Sequence, residues 1–381
     1  MRITAPRVPA DADDSAKVIS ALSHLGVPTS VSALCRAFEL DTYFQCYEFE
    51  RNPSITVQCN VLSALLEVFD KSEGVSSGLS RSIYKVVAFI SDTFWATSGD
   101  LDDKWVSIFL RVGSLLTAMQ HTSGLYAFLL IAQSLTRFML LFDKGIFPGC
   151  PQLIVQTKVP VVLFQILIRI LQAQEDDGSW GSCEETAYTL LALVSLSSLP
   201  FASIMVPTIQ LALDSGRHFL SENVIEQDKA CLWIDKVNYR IPPLSYSYVL
   251  AARYATSIPV HGYSSSMTGE IDRLVLIPSQ KVNHFLRFYR NLPTYRYCKD
   301  WQLQAYIAES YLYLPALIDM SKSELGRVDM ARHLGYTSFA CTSANLMLTK
   351  GYCSLDNCFL GMSLTALIVR RLRCPSSPRL R

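Results

Sequence analysis

Hydrophobic residues recur along most of the chain at the three- and four-residue spacing that is typical of amphipathic helices. Val18, Leu22 and Leu25 share one face of a predicted helix near the start. That helix spans 15–26 and ends at Gly26. The same spacing predicts helices over 60–71, 82–95, 105–120, 125–142, 161–174, 185–199, 280–292 and 301–320. No convincing series of strands accompanies them, so we predict an all-α protein built from helical hairpins.

The texture of the chain changes at 254–279, where Ser, Gly and Pro replace most apolar residues. Such composition is typical of a linker. It therefore predicts a first domain over 1–253 and the start of a second over 280–369. The basic stretch 370–381 is predicted to be disordered.

The overall composition excludes several classes of protein. The net charge of +1 gives no electrostatic basis for binding nucleic acid. The most apolar windows, 124–135 and 159–171, fall short of the roughly 18 apolar residues of a membrane span, so they predict buried helices. No signal peptide is visible, and the 11 scattered cysteines fit reduced thiols in a cytoplasmic protein.

Three carboxylates lie close together in "DADDSAK", at Asp11, Asp13 and Asp14. One interpretation is a helix N-terminus, where Asp caps free backbone N–H groups and complements the macrodipole. The other is an acid site, because crowded like charges allow one carboxyl group to keep its proton. The two interpretations are compatible.

The most specific string is "QAQEDDGSWGSCEETAYTLLALVSL" at 172–196. Gly178 and Gly181 permit a tight turn, Trp180 can be held between helix ends, and Gln172 can hydrogen-bond to nearby backbone. On physical grounds alone a generic helix–turn–helix explains the string equally well. The predicted structural motif comprises Gln172, Asp177, Gly178, Ser179, Trp180 and Gly181.

Together the two strings resemble the DxDD acid motif and the QW repeat of class II terpene cyclases, in particular the fungal bifunctional diterpene synthases of the copalyl diphosphate/kaurene type. Stretches at 47–66, 102–110 and 231–252 match that family in the same order. The resemblance covers about 9–252 closely and continues loosely through 301–317. It implies an α/α barrel, the family's β domain, followed by the first helices of a class I α domain.

The resemblance also implies an activity, a protonation-initiated cyclisation of geranylgeranyl diphosphate to a copalyl diphosphate-type bicycle. Asp13 would be the general acid, with Asp11 and Asp14 orienting it, and Lys104 would contact the diphosphate. Ser15 stands where the family usually has Thr, and both residues carry a hydroxyl. The aromatic residues expected to stabilise cations are Phe44, Tyr47, Trp105 and Trp233.

The family uses Mg²⁺, but residues 255–381 contain no acidic cluster of the kind that holds it, so we assign no metal ligand and expect no class I ionisation. In the family a γ domain precedes the acid motif, whereas ten residues precede Asp11 here. We therefore expect a chain truncated at both ends, with little class II turnover and an exposed apolar face. The alternatives are a non-catalytic remnant of such a synthase and a helical scaffold that binds a protein partner.

Overall fold

The computed structural model describes residues 10–50, 53–71, 77–97, 124–147, 149–223, 242–256, 279–291, 295 and 297–312. Within these residues the regular structure is helical, and a single β-bridge between Glu39 and Phe44 is the only β feature. The all-α prediction is therefore confirmed. The predicted helix over 105–120, most of the predicted linker and everything after 312 lie outside the described residues. The barrel and the domain boundaries stay predictions.

Most of the predicted helices are present, with ends that differ by a few residues. The α-helices within the described residues are α1 (Ala12–His24), α2 (Ser32–Phe38), α3 (Ile55–Lys71), α4 (Ser77–Ala96), α5 (Gly124–Asp143), α6 (Val159–Ala173), α7 (Cys183–Ser197), α8 (Val206–Glu222), α9 (Pro242–Tyr254), α10 (Ser279–Arg290) and α11 (Asp300–Leu312). A π-helical turn, Ile154–Lys158, precedes α6, and a 3₁₀ helix, Pro200–Met205, precedes α8.

Three of these helices were not predicted from periodicity. Helix α2 has only seven residues, too few for a periodic pattern to stand out. Helices α8 and α9 each carry proline in the first turn, at Pro207 and at Pro242 and Pro243. Proline is tolerated there because its missing N–H would have no partner in the helix. These prolines therefore mark helix starts and not the breaks that they suggest in the sequence.

The described residues divide into two compact units, each assembled from separate stretches of chain. One unit takes its residues from Met1–Gly149, Gly181–Ala192 and Leu220–Tyr254. The other takes them from Cys150–Trp180, Leu193–Phe219 and Ala255–Arg381. We call them the first and the second unit.

Helix α3 is the centre of the first unit. Helices α1, α4 and α5 all pack against it, and Val61, Leu65 and Phe69 are buried. The helix begins at Ile55, five residues earlier than expected, and its first turns are buried as well. Three polar residues, Thr56, Gln58 and Asn60, are buried within this helix.

The apolar stripe of helix α1 is largely exposed. Val18 is 56% exposed and Leu25 is 78% exposed, although they share one face as their spacing predicts. The buried positions of the helix are Ala12, Ala16 and Ser23. Their small side chains let the backbone of α1 lie close against α3, which brings the polar side chains of α1 near that helix.

The second unit is built around α6. Helix α11 packs on α6, on the 3₁₀ helix and on α10, and its contact with α10 includes Tyr289, Tyr295 and Tyr306. The segments Gly124–Asp143 in the first unit and Ile154–Ala173 here are long and apolar enough to cross a membrane. Most of each is buried inside the protein, as in the core helices of globular proteins.

Candidate acid site and tryptophan turn

The N-terminus of α1 is built by the carboxylates of the acid motif. Asp11 is the N-cap residue, and its Oδ1 accepts a hydrogen bond of 2.7 Å from the backbone N–H of Asp14. Asp13 and Asp14 occupy the first turn, where negative charge complements the helix macrodipole. The prediction of a helix N-terminus is therefore confirmed. Asp11 is buried, Asp14 is exposed and Asp13 lies between these extremes.

A loop over residues 39–50 ties this end of α1 to α3. The backbone N–H of Ala12, which has no partner within its helix, donates to the carbonyl of Cys46 at 2.9 Å. The Gln58 side chain bonds both backbone groups of Phe44. It accepts from the Phe44 N–H at 2.9 Å and donates to the Phe44 carbonyl at 2.7 Å. The position of the acid motif therefore depends on a glutamine of α3.

Asp13 itself is held by Asn60. The Asn60 side-chain Nδ2 donates to Oδ1 of Asp13 at 2.6 Å, across 47 residues of sequence. Asn60 is buried, so its amide keeps a fixed direction. Because Oδ1 accepts this hydrogen bond, the contact fixes the orientation of the Asp13 carboxyl group.

Lys17 follows Asp13 by four residues and so lies on the same face of α1. Its Nζ donates to the Tyr126 hydroxyl at 3.3 Å and lies 6.0 Å from the centre of the Tyr126 ring. Burial raises the pKa of Tyr126, and the charge of Asp13 raises it further, while a hydrogen bond from Tyr248 lowers it. Tyr126 therefore lies within the electrostatic reach of Asp13 and in contact with Lys17.

Three tyrosines pack edge to face in the first unit. The ring centres of Tyr126 and Tyr188 are 5.1 Å apart, and those of Tyr188 and Tyr248 are 4.8 Å apart. Tyr126 and Tyr248 lie at 6.5 Å with an interplanar angle of 88°. They come from α5, α7 and α9, so three helices meet at this cluster, which we call the tyrosine cluster. Its rings have the electron-rich faces that attract cations.

A buried carboxylate, Glu184 of α7, lies beside the tyrosine cluster. Glu184 accepts a hydrogen bond from the Tyr188 hydroxyl one turn later on α7. Ser245 of α9 donates to its other oxygen at 3.4 Å. Burial raises the pKa of Tyr188, and the Glu184 charge and hydrogen bond raise it further. Tyr188 therefore stays a neutral phenol and Glu184 has its charge partly satisfied by hydroxyl donors.

Of the four aromatic residues expected to stabilise cations, the structure describes two. Phe44 is fully buried, and its backbone serves as the anchor for Gln58. Tyr47 is half-buried; burial raises its pKa to about 12, and the charge of Asp11 contributes in the same direction. Trp105, Trp233 and the predicted diphosphate ligand Lys104 lie outside the described residues. Of the two aromatic residues that the structure describes, Tyr47 is the one whose pKa the acid motif influences.

The second predicted motif forms a tight turn around Trp180, in the second unit. The Trp180 Nε1–H donates to the Ile170 carbonyl of α6 at 2.7 Å, and the ring is buried. Asp177 Oδ1 accepts from the Ser179 N–H at 2.9 Å, and these hydrogen bonds lower the pKa of Asp177. Gly178 has φ +88°, and a Cβ there would lie 2.7 Å from the Ser215 carbonyl oxygen. Glycine is required at that position.

The glutamine that fixes this turn is Gln174 and not Gln172. Gln174 Nε2 donates to the carbonyls of Gly178 and Ala212, each at 3.0 Å. Gln172 Nε2 is buried without a hydrogen-bond partner, so its predicted backbone hydrogen bond through this nitrogen is wrong. Gln174 lies just past the end of α6, where the turn begins, and can therefore reach both carbonyls.

The next helix begins with a reciprocal cap. Gly181, at φ +94°, leads into Ser182, whose N–H donates to Glu185 Oε2 at 3.0 Å. In return the Glu185 N–H donates to Ser182 Oγ at 3.2 Å. This capping box starts α7 at Cys183, close to the predicted start. Glu184 and Tyr188 lie in the first two turns of this helix, directly after the cap.

Sequence reasoning missed the residues that anchor the acid motif and those that form or contact the tyrosine cluster. The overlooked residues are Lys17, Gln58, Asn60, Tyr126, Glu184, Tyr188 and Tyr248. A signal for two of them existed, since Gln58 and Asn60 interrupt an otherwise apolar helix pattern. The Glu184–Tyr188 pair has the i, i+4 spacing of a helical contact. The meeting of α5, α7 and α9 has no local signature.

A Mg²⁺ site formed by protein side chains would need several oxygen ligands close together. Within the described part of the chain, no three His, Cys, Asp or Glu side chains converge as a metal site. The described residues therefore supply no carboxylate-rich ligand set of their own for Mg²⁺, and no step below depends on such a set.

No family model matches the chain. Among curated proteins it is 34% identical to "Pimaradiene synthase pbcA" of Emericella nidulans, over 90% of this chain and 32% of that protein. It is 28% identical to "Ent-kaur-16-ene synthase" of Fusarium fujikuroi, over 90% of this chain and 34% of that protein. The solved structure "ent-Copalyl diphosphate synthase from Streptomyces platensis" is 24% identical, with a TM-score of 0.48, covering 69% of this chain and 43% of that one.

The chain spans about a third of the length of these curated relatives. The two matches to curated proteins each cover 90% of this chain. The chain belongs to the family of the fungal diterpene synthases.

Proposed function

We propose that the first unit carries the acid site of a class II diterpene cyclase, which protonates the terminal double bond of geranylgeranyl diphosphate and yields a copalyl diphosphate-type bicycle. The observation that carries the proposal is the Asp13 carboxyl group, held by the buried Asn60 amide at 2.6 Å. Two named relatives are diterpene synthases, which supports the substrate class. The diphosphate stays attached in this reaction.

The chemistry requires a carboxylic acid with a fixed direction. An ordinary carboxyl group, with a pKa near 4, is a weak proton donor towards an alkene. Orientation removes part of that disadvantage, because the proton is already aimed at the carbon that receives it. The hydrogen bond from Asn60 fixes the orientation of the Asp13 carboxyl group, and Asp11 fixes the helix turn that carries Asp13.

The positive charge that follows protonation needs a partner that does not react with it. Aromatic faces serve this purpose because their quadrupole attracts cations. Tyr126, Tyr188 and Tyr248 provide such faces on the side of α1 that Lys17 reaches. We propose the tyrosine cluster as the part of the site that stabilises the ring cations, with Lys104 at the diphosphate and Mg²⁺ as the family's cofactor.

The test is product formation by the purified chain. Geranylgeranyl diphosphate is incubated with an excess of protein and Mg²⁺, the mixture is treated with phosphatase, and bicyclic alcohols are sought by gas chromatography–mass spectrometry. We expect product at a low rate. Asp13→Asn is expected to reduce it by about 10²–10⁴-fold while the protein still folds. Asp41→Asn, an exposed loop carboxylate in the same unit, is the matched control and is expected to behave as the wild type.

The outcomes separate the alternatives. No product from the wild type, even with protein in excess, would favour the non-catalytic remnant. Product that persists in Asp13→Asn would remove Asp13 from the mechanism. A scaffold that binds a protein partner predicts binding that is indifferent to Asp13.

A further inference from the structure

We propose that Lys71, in the last turn of α3, is a positioning residue for the acid, because it attaches α1 to α3 at the end of α1 opposite Asp13. The inference rests on the proposed function and concerns the placement of its acid. Lys71 contacts α1 at Ser23, ten residues after Asp13. Ten helical residues extend about 15 Å, so Lys71 acts on the acid only through α1 itself.

The last turn of α1 is attached to the last turn of α3 through Lys71. The Lys71 ammonium donates to the Ser23 backbone carbonyl and, at 2.8 Å, to Ser23 Oγ. Ser23 is buried, so both acceptors have a fixed position. The positive charge also complements the negative end of the α1 macrodipole. Beside it, His24 Nε2 lies 3.6 Å from Glu67 Oε1, but His24 is largely exposed and exposed ion pairs contribute little.

The first turn of α1 is attached to the same helix at Asn60, whose Nδ2 donates to Asp13 Oδ1 at 2.6 Å. The two attachments are ten residues apart on α1 and eleven apart on α3, so the helices run in the same direction with nearly equal spacings. A slide of α1 by one residue would move each contact by about 1.5 Å along α3, which is more than a hydrogen bond tolerates. The pair of contacts therefore sets the register of α1 on α3.

Packing between the two attachments does little to fix this register. The buried side chains of α1 are Ala12, Ala16 and Ser23, which are all small, whereas Val18 and Leu25 are mostly exposed. Helices resist sliding and tilting through large side chains that fit into grooves of the neighbouring helix, and small side chains supply little of this. The position of α1 therefore depends on the polar contacts at its ends.

Loss of the Lys71 contact would act on the direction of the acid. The first turn of α1 would keep its bonds from Asn60 to Asp13 and from the Ala12 N–H to the Cys46 carbonyl. The helix could then tilt about that turn, which changes where the Asp13 carboxyl group points more than where it lies. A misdirected acid lowers the rate of proton transfer without weakening the binding of substrate.

Four variants distinguish this role from a general effect on stability. Lys71→Met keeps the aliphatic stem and removes the charge and the donors, whereas Lys71→Arg keeps both. Ser23→Ala removes one of the two acceptors and is the milder change on α1. Lys144→Met is the matched control, because Lys144 is an exposed lysine of the same unit, directly after α5.

The first measurement is the steady-state rate of the purified chain on geranylgeranyl diphosphate. Lys71→Met is expected to lower kcat by about tenfold or more with KM unchanged, since only the aim of the proton is lost. Ser23→Ala is expected to show a smaller fall of the same kind. Lys71→Arg is expected to stay close to the wild-type kcat, and Lys144→Met to match the wild type.

The second measurement reads the placement of Asp13 without any turnover. The protein is labelled with ¹⁵N-asparagine, and the side-chain amide of Asn60 is assigned as the NMR signal that Asn60→Ala removes. In Lys71→Met the proton that Asn60 donates to Asp13 is expected to move upfield, because its hydrogen bond lengthens. The same signal is expected to stay in place in Lys71→Arg and in Lys144→Met.

An Asn60 signal that does not move in Lys71→Met would overturn the proposal, even if that variant were less stable, since Lys71 would then act on stability alone. A wild-type kcat in Lys71→Met, or an equal fall in Lys144→Met, would also overturn it. Absence of product from the wild type would overturn the proposed function, and the NMR comparison would still decide whether Lys71 positions Asp13.

Discussion

The acid site and the tryptophan turn are both polar structures in an apolar, helical chain, yet they are held together differently. Most hydrogen bonds of the turn join groups that are near in sequence, such as Asp177–Ser179 and Gln174–Gly178, with one bond from Gln174 to Ala212 across 38 residues. The acid site depends on residues far away, since Asp13 bonds Asn60 across 47 residues and Lys17 bonds Tyr126 across 109. The turn is therefore held mainly by local contacts, whereas the acid site depends on how whole helices pack.

This difference predicts separate consequences of mutation. Mutation of the turn is expected to lower the free energy of unfolding. Its side chains hydrogen-bond to backbone carbonyls, and those bonds are lost when a side chain is removed. Damage to the acid site is expected to lower turnover while the protein stays folded. The predictions below test that separation.

The largest effect on stability is expected at Trp180. Trp180→Ala removes a buried ring and the Nε1–H bond to Ile170. We expect a loss of about 3–5 kcal/mol in the free energy of unfolding, measured by urea denaturation. Trp180→Phe keeps most of the ring and is expected to lose about 1–2 kcal/mol. Equal losses in the two variants would show that ring volume contributes little.

A pH effect on stability is expected next, at Glu309 of α11, which contacts the α6 helix that also supports the turn. Burial raises the pKa of Glu309 from its ordinary value to about 7, although the hydrogen bond from Gln165 and the charge of Arg169 lower it. The folded chain therefore holds this proton between about pH 4.5 and 7, where the unfolded chain has lost it. Glu309 thus destabilises the protein progressively as the pH rises through that window.

Glu309→Gln removes this dependence. The stability of the wild type relative to the variant is expected to fall by about 3 kcal/mol from pH 4.5 to 7 and to level off above 7. The measurement is urea denaturation of both proteins across that range. A constant difference between them would contradict a raised pKa at Glu309.

At the acid site, Asn60→Ala is expected to act on turnover. It removes the hydrogen bond that orients Asp13. Asp13 is neutral when it donates its proton, and hydrogen bonds between neutral groups contribute about 0.5–1.5 kcal/mol, so the first-turnover rate is expected to fall by about 2–10-fold. The thermal midpoint, followed by circular dichroism, is expected to change far less than in Trp180→Ala. A loss of stability without a loss of rate would reverse the comparison between the two sites.

The smallest expected effect is the difference in stability between the alanine variants of Gly178 and Gly181, which both have positive φ. A Cβ at Gly178 would meet a backbone carbonyl of Ser215 at 2.7 Å, whereas one at Gly181 would meet the Glu185 carboxylate end at 2.8 Å. Both alanine variants carry the left-handed penalty of about 1–2 kcal/mol. Only the Gly178 clash is with backbone, so Gly178→Ala is expected to be the less stable by about 1 kcal/mol in the same denaturation assay.

The sequence identified the features that are encoded locally. The cap at Asp11, the turn around Trp180 and the buried stripe of α3 follow from residue type and spacing, and all are present. The exposure of the apolar stripe of α1 could not be predicted, because periodicity shows that a helix has an apolar face without showing what packs against it. Periodicity gave no account of Tyr126, Tyr188 and Tyr248, because their meeting depends on the packing of three helices. The assignment of Gln172 failed because two glutamines, two residues apart, satisfied the same pattern.

The loop over residues 39–50 has a consequence for local unfolding. It is attached to α1 through the Ala12 N–H and to α3 through both backbone groups of Phe44. If this loop opens, the amide hydrogens of Ala12 and Phe44 lose their acceptors together and exchange with solvent at a common rate. Those two amides are thus reporters of how often the acid motif separates from α3, on a timescale that hydrogen exchange measures and that no static distance reveals.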